Sequence, residues 1–172
     1  MIYIIIVILV ALIDRTSKML IETKFQLGES QSIIENMFKL TRGKNTGIAF
    51  GKFDNGGVLL IVMAVALMAV VIYMMYTTRN KLARIGFSFV LGGAIGNLYD
   101  RVFLHGVTDF IDIPPVSFIF PNFNIADSFV VVGTIIVAIY LLFYSETNKV
   151  SNDKIESENT KIKKIKDNIN GE

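Results

Sequence analysis

The sequence has no cysteine, a single histidine and only three prolines. Without cysteine, the protein can form no disulfide, no thiolate nucleophile and no cysteine-ligated metal site. The single histidine, His105, excludes any site that needs two imidazoles. The net charge of +2 gives no indication of nucleic-acid binding. We therefore expect no metal, no other cofactor and no nucleic acid, and we expect the chemistry to rest on carboxylates, amides and basic side chains.

Apolar residues, by contrast, are abundant. They make up 52% of the chain, and the mean hydropathy is +0.54. The core of a soluble protein of 172 residues could not bury so many apolar side chains. Four segments approach the length of about 20 apolar residues that a membrane helix needs. They are residues 1–20, 58–76, 85–99 and 125–144. The first could be read as a signal peptide, but it lacks a basic start and a small-residue cleavage site, so we expect a retained helix.

The distribution of basic residues indicates an orientation. Four spans place both termini on one side of the membrane. The link between the second and third spans, residues 77–84, is basic, and the tail after residue 144 holds six lysines. The positive-inside rule therefore places both termini in the cytoplasm. The first loop on the opposite side, residues 25–57, also carries basic residues, so the rule is only partly satisfied.

The chain divides by composition into a membrane domain, residues 1–144, and a charged tail, residues 145–172. The tail is polar, which predicts a solvated and partly disordered cytoplasmic segment. An alternative is a helix lying on anionic lipid, because four isoleucines at near-heptad spacing stand beside a lysine cluster. Those isoleucines are Ile155, Ile162, Ile165 and Ile169.

The two loops on the outer side carry local signals of their own. Residues 38–41 alternate as in a strand, residues 42–45 resemble a turn, and residues 47–50 could return as a second strand. We therefore predict a small β element lying on the membrane. All three prolines fall in the second outer loop, residues 101–123, which predicts an extended rather than a helical loop.

Ionisable side chains at bilayer depth cost several kcal/mol unless they are paired or wet, so each is a candidate functional residue. Asp14 and Lys18 lie four residues apart on the first helix, on one face, and either hold the bundle as an ion pair or belong to a site. Asn97, Asp100 and Arg101 end the third helix, as a helix-end hydrogen-bond cluster or as site residues. Gly92 and Gly96, one small-xxx-small pair, predict close approach of another helix.

Two further carboxylates are expected to meet. Asp109 follows the third helix, and Asp127 enters the fourth helix from the same membrane face. Asn124 can cap that helix, and Asp127 suits its positive end, which is the structural alternative for this residue. Two close carboxylates cannot both ionise cheaply, so the pair would hold one proton. Such a pair offers one base and one acid, which is the arrangement of an aspartic peptidase.

Five motifs in this order resemble the bacterial lipoprotein signal peptidases, also called signal peptidase II. Asp14-Arg15-Thr16-Ser17-Lys18 is similar to D-x-x-S-K of that family, and residues 45–50 are similar to N-x-G-x-x-F. Residues 92–101 resemble G-G-x-x-G-N-x-x-D-R, and residues 106–112 resemble G-x-V-x-D-F-x-D. Residues 123–127 resemble F-N-x-A-D, with Gly133 as the later glycine. The resemblance spans about residues 1–144, with the motifs in the same order and with four helices.

The resemblance implies a fold, a reaction and a set of residues. The fold would be four transmembrane helices with a small extracytoplasmic β-cradle and a short flap formed by residues 101–123. Asp109 and Asp127 would be the catalytic dyad. The residues that shape or line the substrate site would be Asp14, Asn45, Gly47, Asn97, Asp100, Arg101 and Asn124.

The resemblance also implies partners and a location. The substrates would be prolipoproteins whose cysteine carries diacylglyceryl, cleaved on the amino side of that cysteine, and globomycin-type peptides would inhibit. We expect a monomer among membrane lipids in the bacterial cytoplasmic membrane, with the active site at the extracytoplasmic face. Two departures are Ile48, where the family usually carries a smaller residue, and the charged tail.

Two other readings stay open on the residues alone. A transporter or channel could use the same carboxylates as a proton or cation relay, but it should distribute them through the depth of the membrane. A scaffold without enzymatic activity could use polar residues to hold its helices together, but this leaves Asp109 unexplained.

Overall fold

A computed structural model of the protein describes residues 1–47, 56–118 and 121–143. Four long helices occur in this part of the chain: α1 is Ile2–Lys24, α2 is Gly56–Thr77, α3 is Lys81–Phe103 and α4 is Ile125–Phe143. Three strands lie between them: β1 is Ser30–Ile34, β2 is Phe38–Asn45 and β3 is Val107–Asp112. The four predicted helices are confirmed. Helices α1 and α3 extend beyond the apolar segments from which they were predicted, because their ends carry polar side chains.

Three of the described helices are long and apolar enough to cross a membrane: α2, α3 and α4. Helix α1 has 23 residues, and at about 1.5 Å per residue it also matches the thickness of a bilayer core. Its buried side chains, which include Asp14 and Lys18, recur every three or four residues and form one face. Its other face exposes Ile4, Ile8 and Leu12. Helix α1 therefore turns polar groups inward and apolar groups outward, as expected in lipid.

Helix α3 is the centre of the bundle and packs against α1 and α2. Its glycines set the spacing to α1: a Cβ atom at Gly92 would lie 2.7 Å from the Cβ of Val10, and one at Gly96 would lie 2.5 Å from Asp14 Oδ2. The predicted close approach at Gly92 and Gly96 is thus confirmed. Only glycine permits this separation, because real Cβ contacts are never so short.

Helix α4 packs on the neighbouring face of α3. The rings of Phe89 and Phe129 meet edge to face with centroids 5.2 Å apart. A Cβ atom at Gly93 would collide with the carbonyl oxygen of Ala126. This contact brings the first turn of α4 directly against α3. Every candidate site residue lies in the compact unit Met1–Ile136.

The strands form one antiparallel sheet in the order β1-β2-β3. Gly43 of β2 lies opposite Asp109 of β3, and Asn45 lies opposite Val107. This sheet corresponds to the predicted β-cradle. The predicted turn at residues 42–45 is wrong, because β2 continues through Asn45. Neither β1 nor β3 was predicted as a strand.

The second outer loop also differs from its prediction. Its first part is β3, a paired strand, so Asp109 lies on a sheet and not in a free loop. Pro114–Val116 then forms one turn of 3-10 helix with proline at its start. The loop is therefore not extended throughout, because proline fits the first turn of a helix. Ile48, the second predicted strand beyond Gly47 and the tail lie outside the described residues.

Candidate active site

Two carboxylates, one from the sheet and one from α4, converge on Asn124. Asn124 Nδ2 donates to Asp109 Oδ1 over 2.7 Å. The backbone N–H of the same residue donates to Asp127 Oδ2 over 3.2 Å. Asn124 is fully buried, and Asp109 is only 6% exposed. A single fully buried residue thus joins the two carboxylates.

The start of α4 is held by a reciprocal cap. Asn124 Oδ1 accepts from the backbone N–H of Asp127 over 3.0 Å, while Asp127 Oδ2 accepts from the backbone N–H of Asn124. This is the geometry of a capping box, in which cap and third residue each satisfy the other's backbone donor. The predicted cap at Asn124 is confirmed. The cap fixes the side chain of Asp127, which consequently presents its other oxygen, Oδ1, to α3.

Two more asparagines complete the donors around the pair. Asn45 Nδ2 donates to Asp109 Oδ2 over 3.1 Å, and Asn97 Nδ2 donates to Asp127 Oδ1 over 2.7 Å. Asn45 Oδ1 in turn accepts from the backbone N–H of Gly47 over 3.2 Å. Gly47 has φ of +126°, a value that favours glycine. Each carboxylate therefore accepts two hydrogen bonds from amide donors.

The environment of Asp109 favours its protonated form. Burial raises the pKa of the Asp109 carboxyl above its ordinary value, and the hydrogen bonds from Asn124 and Asn45 act in the opposite direction. The negative charge of Asp127 raises the pKa of Asp109 further. Burial and the neighbouring negative charge of Asp127 therefore both favour retention of a proton by Asp109.

A buried ion-pair cluster lies beneath the carboxylates. Lys18 Nζ lies 2.7 Å from Asp14 Oδ2 and 2.8 Å from Asp100 Oδ2, and all three side chains are fully buried. The predicted pairing of Asp14 with Lys18 is confirmed. Asp14 Oδ1 also accepts from the backbone N–H of Ala126 over 2.9 Å, which ties α1 to the first turn of α4. Asp14 consequently supports the site from below.

Asp100 is held by charge and not by hydrogen bonds. Its oxygens lie 2.8 Å from Lys18 Nζ and 3.6 Å from Arg15 Nη1, but neither cation has hydrogen-bond geometry to it among the described residues. Breaking such a buried pair by removing one partner costs about 3–5 kcal/mol. Asp100, like Asp14, therefore acts on the site from inside the bundle.

Arg101 stands at the edge of the site. Its Nη1 donates to the carbonyl oxygen of Asn97 over 3.3 Å. The side chain also lines a cavity of about 180 Å³ together with His105 and with Val58 and Ile61 of α2. Arg101 is partly exposed, so its remaining donors are open to a ligand.

Sequence reasoning missed one network that fixes β3. Thr108 Oγ1 donates to Glu22 Oε1 over 2.7 Å, and Arg15 binds the same carboxylate through two nitrogens at 3.1 and 3.4 Å. Arg15 and Glu22 lie seven residues apart on α1, which is a helical spacing that the sequence does contain. Thr108 precedes Asp109, so this network holds the strand on which Asp109 lies.

Asp109 borders a cleft at the surface. A hollow of about 340 Å³ is bordered by the side of β2, by Asp109 and by the segment around Pro121. Its lining residues are Gly43, Lys44, Asn45, Asp109, Ser117, Pro121 and Asn122. An extended peptide could therefore reach Asp109 from the surface.

Comparison with known proteins identifies the family to which this chain belongs. The family model described as "Signal peptidase (SPase) II", Peptidase_A8, matches residues 6–143. The chain belongs to the signal peptidase II family. A lipoprotein signal peptidase of Clostridium novyi (strain NT) is 42% identical over 142 residues, which cover 81% of this chain and 96% of that protein.

Two solved structures of bacterial membrane enzymes share the fold of this chain. A bacterial membrane enzyme determined by the in meso method at 2.3 Å resolution matches with a TM-score of 0.75 and 29% identity, over 84% of this chain and 90% of that one. A second, at 1.9 Å resolution, matches with a TM-score of 0.76 and 30% identity, over 81% of this chain and 92% of that one. The chain is thus a multi-pass bacterial membrane protein and an aspartic peptidase of family A8.

Proposed function

We propose that Asp109 and Asp127 form the catalytic dyad of this signal peptidase II, which cleaves signal peptides from prolipoproteins. The observation that carries the proposal is their common attachment to Asn124, at 2.7 Å from Asp109 and 3.2 Å from Asp127. Both carboxylates accept from amide donors, and Asp109 also lines the 340 Å³ hollow.

The proposed reaction uses the pair as one base and one acid. The ionised carboxylate takes a proton from a water molecule, whose oxygen attacks the scissile carbonyl carbon. The protonated carboxyl gives its proton to the carbonyl oxygen, which produces a tetrahedral intermediate. The intermediate collapses when its C–N bond breaks: the leaving nitrogen takes a proton from the newly protonated carboxyl, and one of the two hydroxyls on the carbon returns its proton to the other carboxylate, which restores the singly protonated pair. The asparagine donors hold both carboxylates in place throughout, so little reorganisation is needed.

The proposed substrate is a prolipoprotein whose cysteine already carries diacylglyceryl, with cleavage on the amino side of that cysteine. Asp127 lies in the first turn of a membrane-length helix, and Asp100 and Arg101 lie in the last turns of another. These positions support a site at the end of the bundle, where a lipid-anchored residue would approach sideways from the bilayer. The hydrophobic outer face of α1 supports the same route.

The surrounding residues would divide the work of substrate binding. Asn45, Gly47, Asn97 and Asn124 would fix the carboxylates and the adjoining backbone, and Arg101 would hold a substrate carbonyl or carboxylate. Asp14 and Asp100 would shape the site from beneath. We further propose that globomycin-type peptides bind the same cleft, and that the protein acts as a monomer among membrane lipids.

The proposed orientation places the site outside the cell. The site lies where α3 ends and α4 begins, whereas the basic link between α2 and α3 lies at the opposite end of α3. Applied to that link, the positive-inside rule places both termini in the cytoplasm and the carboxylates at the extracytoplasmic face.

A relay for protons or cations is a weaker reading of the same residues. Helix α2 carries no charged side chain, and the described carboxylates of α1, α3 and α4 gather around one ion-pair cluster. A conduction path needs polar groups through the whole depth of the membrane.

The test is cleavage of synthetic peptides by the purified protein in detergent. A signal peptide with diacylglyceryl-cysteine should be cut once, and mass spectrometry should show the lipidated cysteine as the new amino terminus. The same peptide with unmodified cysteine should be cut at least about 10²-fold more slowly, because remote binding energy is needed to orient the scissile bond. Equal cleavage of both peptides would refute the proposed substrate, and no cleavage of either would refute the proposed reaction.

The raised pKa of Asp109 predicts how activity depends on pH. The active pair holds one proton, so kcat/KM should fall on the alkaline side as that proton is lost. The hydrogen bond from Asn45 lowers the pKa of Asp109. Asn45→Ala removes this donor, so the pKa should rise and the alkaline limb should move to higher pH.

A pH profile of kcat/KM for wild type and Asn45→Ala checks this sign. Asn80→Ala is the matched control, because Asn80 caps α3 at the end away from the carboxylates. Its alkaline limb should stay at the wild-type position. A limb that moves to lower pH in Asn45→Ala would show that Asn45 does not stabilise the ionised form of the pair.

A further inference from the structure

Lys18 is a buried residue that takes no part in the proposed reaction. Its side chain is fully buried, so it touches neither solvent nor substrate. An ammonium group has three N–H donors and no acceptor. Its nitrogen donates to Asp14 Oδ2 over 2.7 Å and to Asn97 Oδ1 over 2.9 Å, and it lies 2.8 Å from Asp100 Oδ2 as an ion pair without hydrogen-bond geometry. Charge neutralisation accounts for the two carboxylates, but it does not account for the amide.

The contact with Asn97 has a directional consequence. Asn97 Oδ1 faces Lys18, and Asn97 Nδ2 faces Asp127 Oδ1 at 2.7 Å. If the amide turned over, its NH₂ group would face the ammonium, and its oxygen would face a carboxylate. Both contacts would then be repulsive. Because Lys18 can only donate, it determines which end of Asn97 is presented to Asp127.

The same orientation reaches the other carboxylate through Asn124. Asn97 Oδ1 also accepts from Asn124 Nδ2 over 3.2 Å. That nitrogen donates to Asp109 as well, and Asn124 Oδ1 is left free to cap Asp127. A reversed Asn97 would place two amide nitrogens against each other and would disturb the donor to Asp109.

We propose that Lys18 is a positioning residue for catalysis, which orients the Asn97 amide toward Asp127 and, through Asn124, holds the two carboxylates in their working arrangement. This inference rests on the proposed function. It differs from a purely structural role, in which Lys18 only neutralises Asp14 and Asp100.

Substitution of Lys18 by glutamine and by methionine distinguishes the positioning role from the purely structural role. Both side chains lack the charge and have similar length, but only glutamine keeps an N–H donor for Asn97. We would make Lys18→Gln and Lys18→Met in an Asp100→Asn background, which removes one negative charge together with the ammonium. The buried net charge then equals that of wild type, so both proteins should fold. The same two substitutions are also made with Asp100 intact.

Turnover of the lipidated peptide is the first readout. Lys18→Met should reduce kcat by about 10²-fold relative to its parent, with KM changed by less than about threefold, since a misplaced group costs turnover more than binding. Lys18→Gln should restore about 10-fold of that loss, which corresponds to one hydrogen bond. Thermal unfolding should be the same for the two variants.

A second readout does not depend on turnover. In ¹⁵N-labelled wild type, the side-chain amide of Asn97 should exchange slowly with water, because its Nδ2 is bonded to Asp127. Slow exchange should persist in Lys18→Gln and be lost in Lys18→Met.

The outcomes distinguish the inference from the function on which it rests. Equal kcat for the glutamine and methionine variants in both backgrounds, or a difference confined to KM, would overturn the positioning role while wild-type cleavage still supported the dyad. Failure of the wild type to cleave would instead overturn the proposed function. Slow exchange of the Asn97 amide in Lys18→Met would also overturn the positioning role.

Discussion

Replacing either Asp109 or Asp127 by asparagine is expected to reduce kcat for the lipidated peptide by about 10⁴-fold, the upper range for loss of a general acid or base. An amide cannot take a proton from water, and it cannot give one to a carbonyl. Shape is nearly unchanged, so the helices should remain folded. At Asp109 one amide donor would meet either Asn45 or Asn124, both of which are donors there, at a cost of about 1–3 kcal/mol in stability.

The matched control is Asp112→Asn, a carboxylate on the same strand. Asp112 is partly exposed, and its one described side-chain contact is a 3.5 Å hydrogen bond from Thr41. This variant should cleave at a rate close to wild type. The measurement is kcat for the three variants, and circular dichroism checks that each variant is folded. Residual cleavage above about one tenth of wild type in Asp109→Asn or Asp127→Asn would exclude that residue from the dyad.

Gly93→Ala is expected to reduce both stability and turnover. A Cβ atom at this position would collide with the backbone carbonyl of Ala126 and lie 2.9 Å from Val130 Cγ2. Backbone cannot rotate away, so α4 must move from α3. We expect a loss of about 1–3 kcal/mol in unfolding free energy. Asp127 follows Ala126, and a displacement near 1 Å there should reduce kcat by about 10²-fold.

Gly57→Ala provides the control for this prediction. Gly57 also lies in a membrane-length helix, but a Cβ atom there meets nothing within 4 Å. Alanine should leave turnover unchanged and raise stability by about 0.4–1 kcal/mol, because it restricts the unfolded chain. Unfolding in detergent and kcat are measured for both variants. Wild-type stability and turnover in Gly93→Ala would contradict the close packing of α4 on α3.

The helices could be predicted from sequence because lipid imposes a simple rule on them. A run of about 20 apolar residues has few alternatives in a bilayer. The strands offered no comparable signal. Every residue of β1 is exposed, and the first four residues of β3 are all buried, so neither shows the alternation of a half-buried strand. The start of β2 could be predicted from the alternation at residues 38–41, whereas β1 and β3 could be located only from their pairing.

In the candidate site, contacts between residues close in sequence could be predicted, and contacts between distant residues could not. The cap at Asn124 and the pair formed by Asp14 and Lys18 follow from spacings of three and four residues. The bond from Lys18 to Asn97 joins residues 79 positions apart and depends on how closely α1 approaches α3. Gly92 and Gly96 set that distance. The order of the motifs could therefore indicate which residues belong to the site, but it could not indicate which of their atoms are in contact.

Direct activation of water by the carboxylate pair is the step on which the proposed mechanism rests. It is tested by a single turnover of excess wild-type enzyme on the lipidated peptide in H₂¹⁸O, with mass analysis of the released signal peptide. We predict one ¹⁸O atom in its new carboxylate in the first turnover, and no label in Asp109 or Asp127. A first-turnover product with only ¹⁶O, together with ¹⁸O in either aspartate, would show a covalent acyl-enzyme and contradict the dyad mechanism.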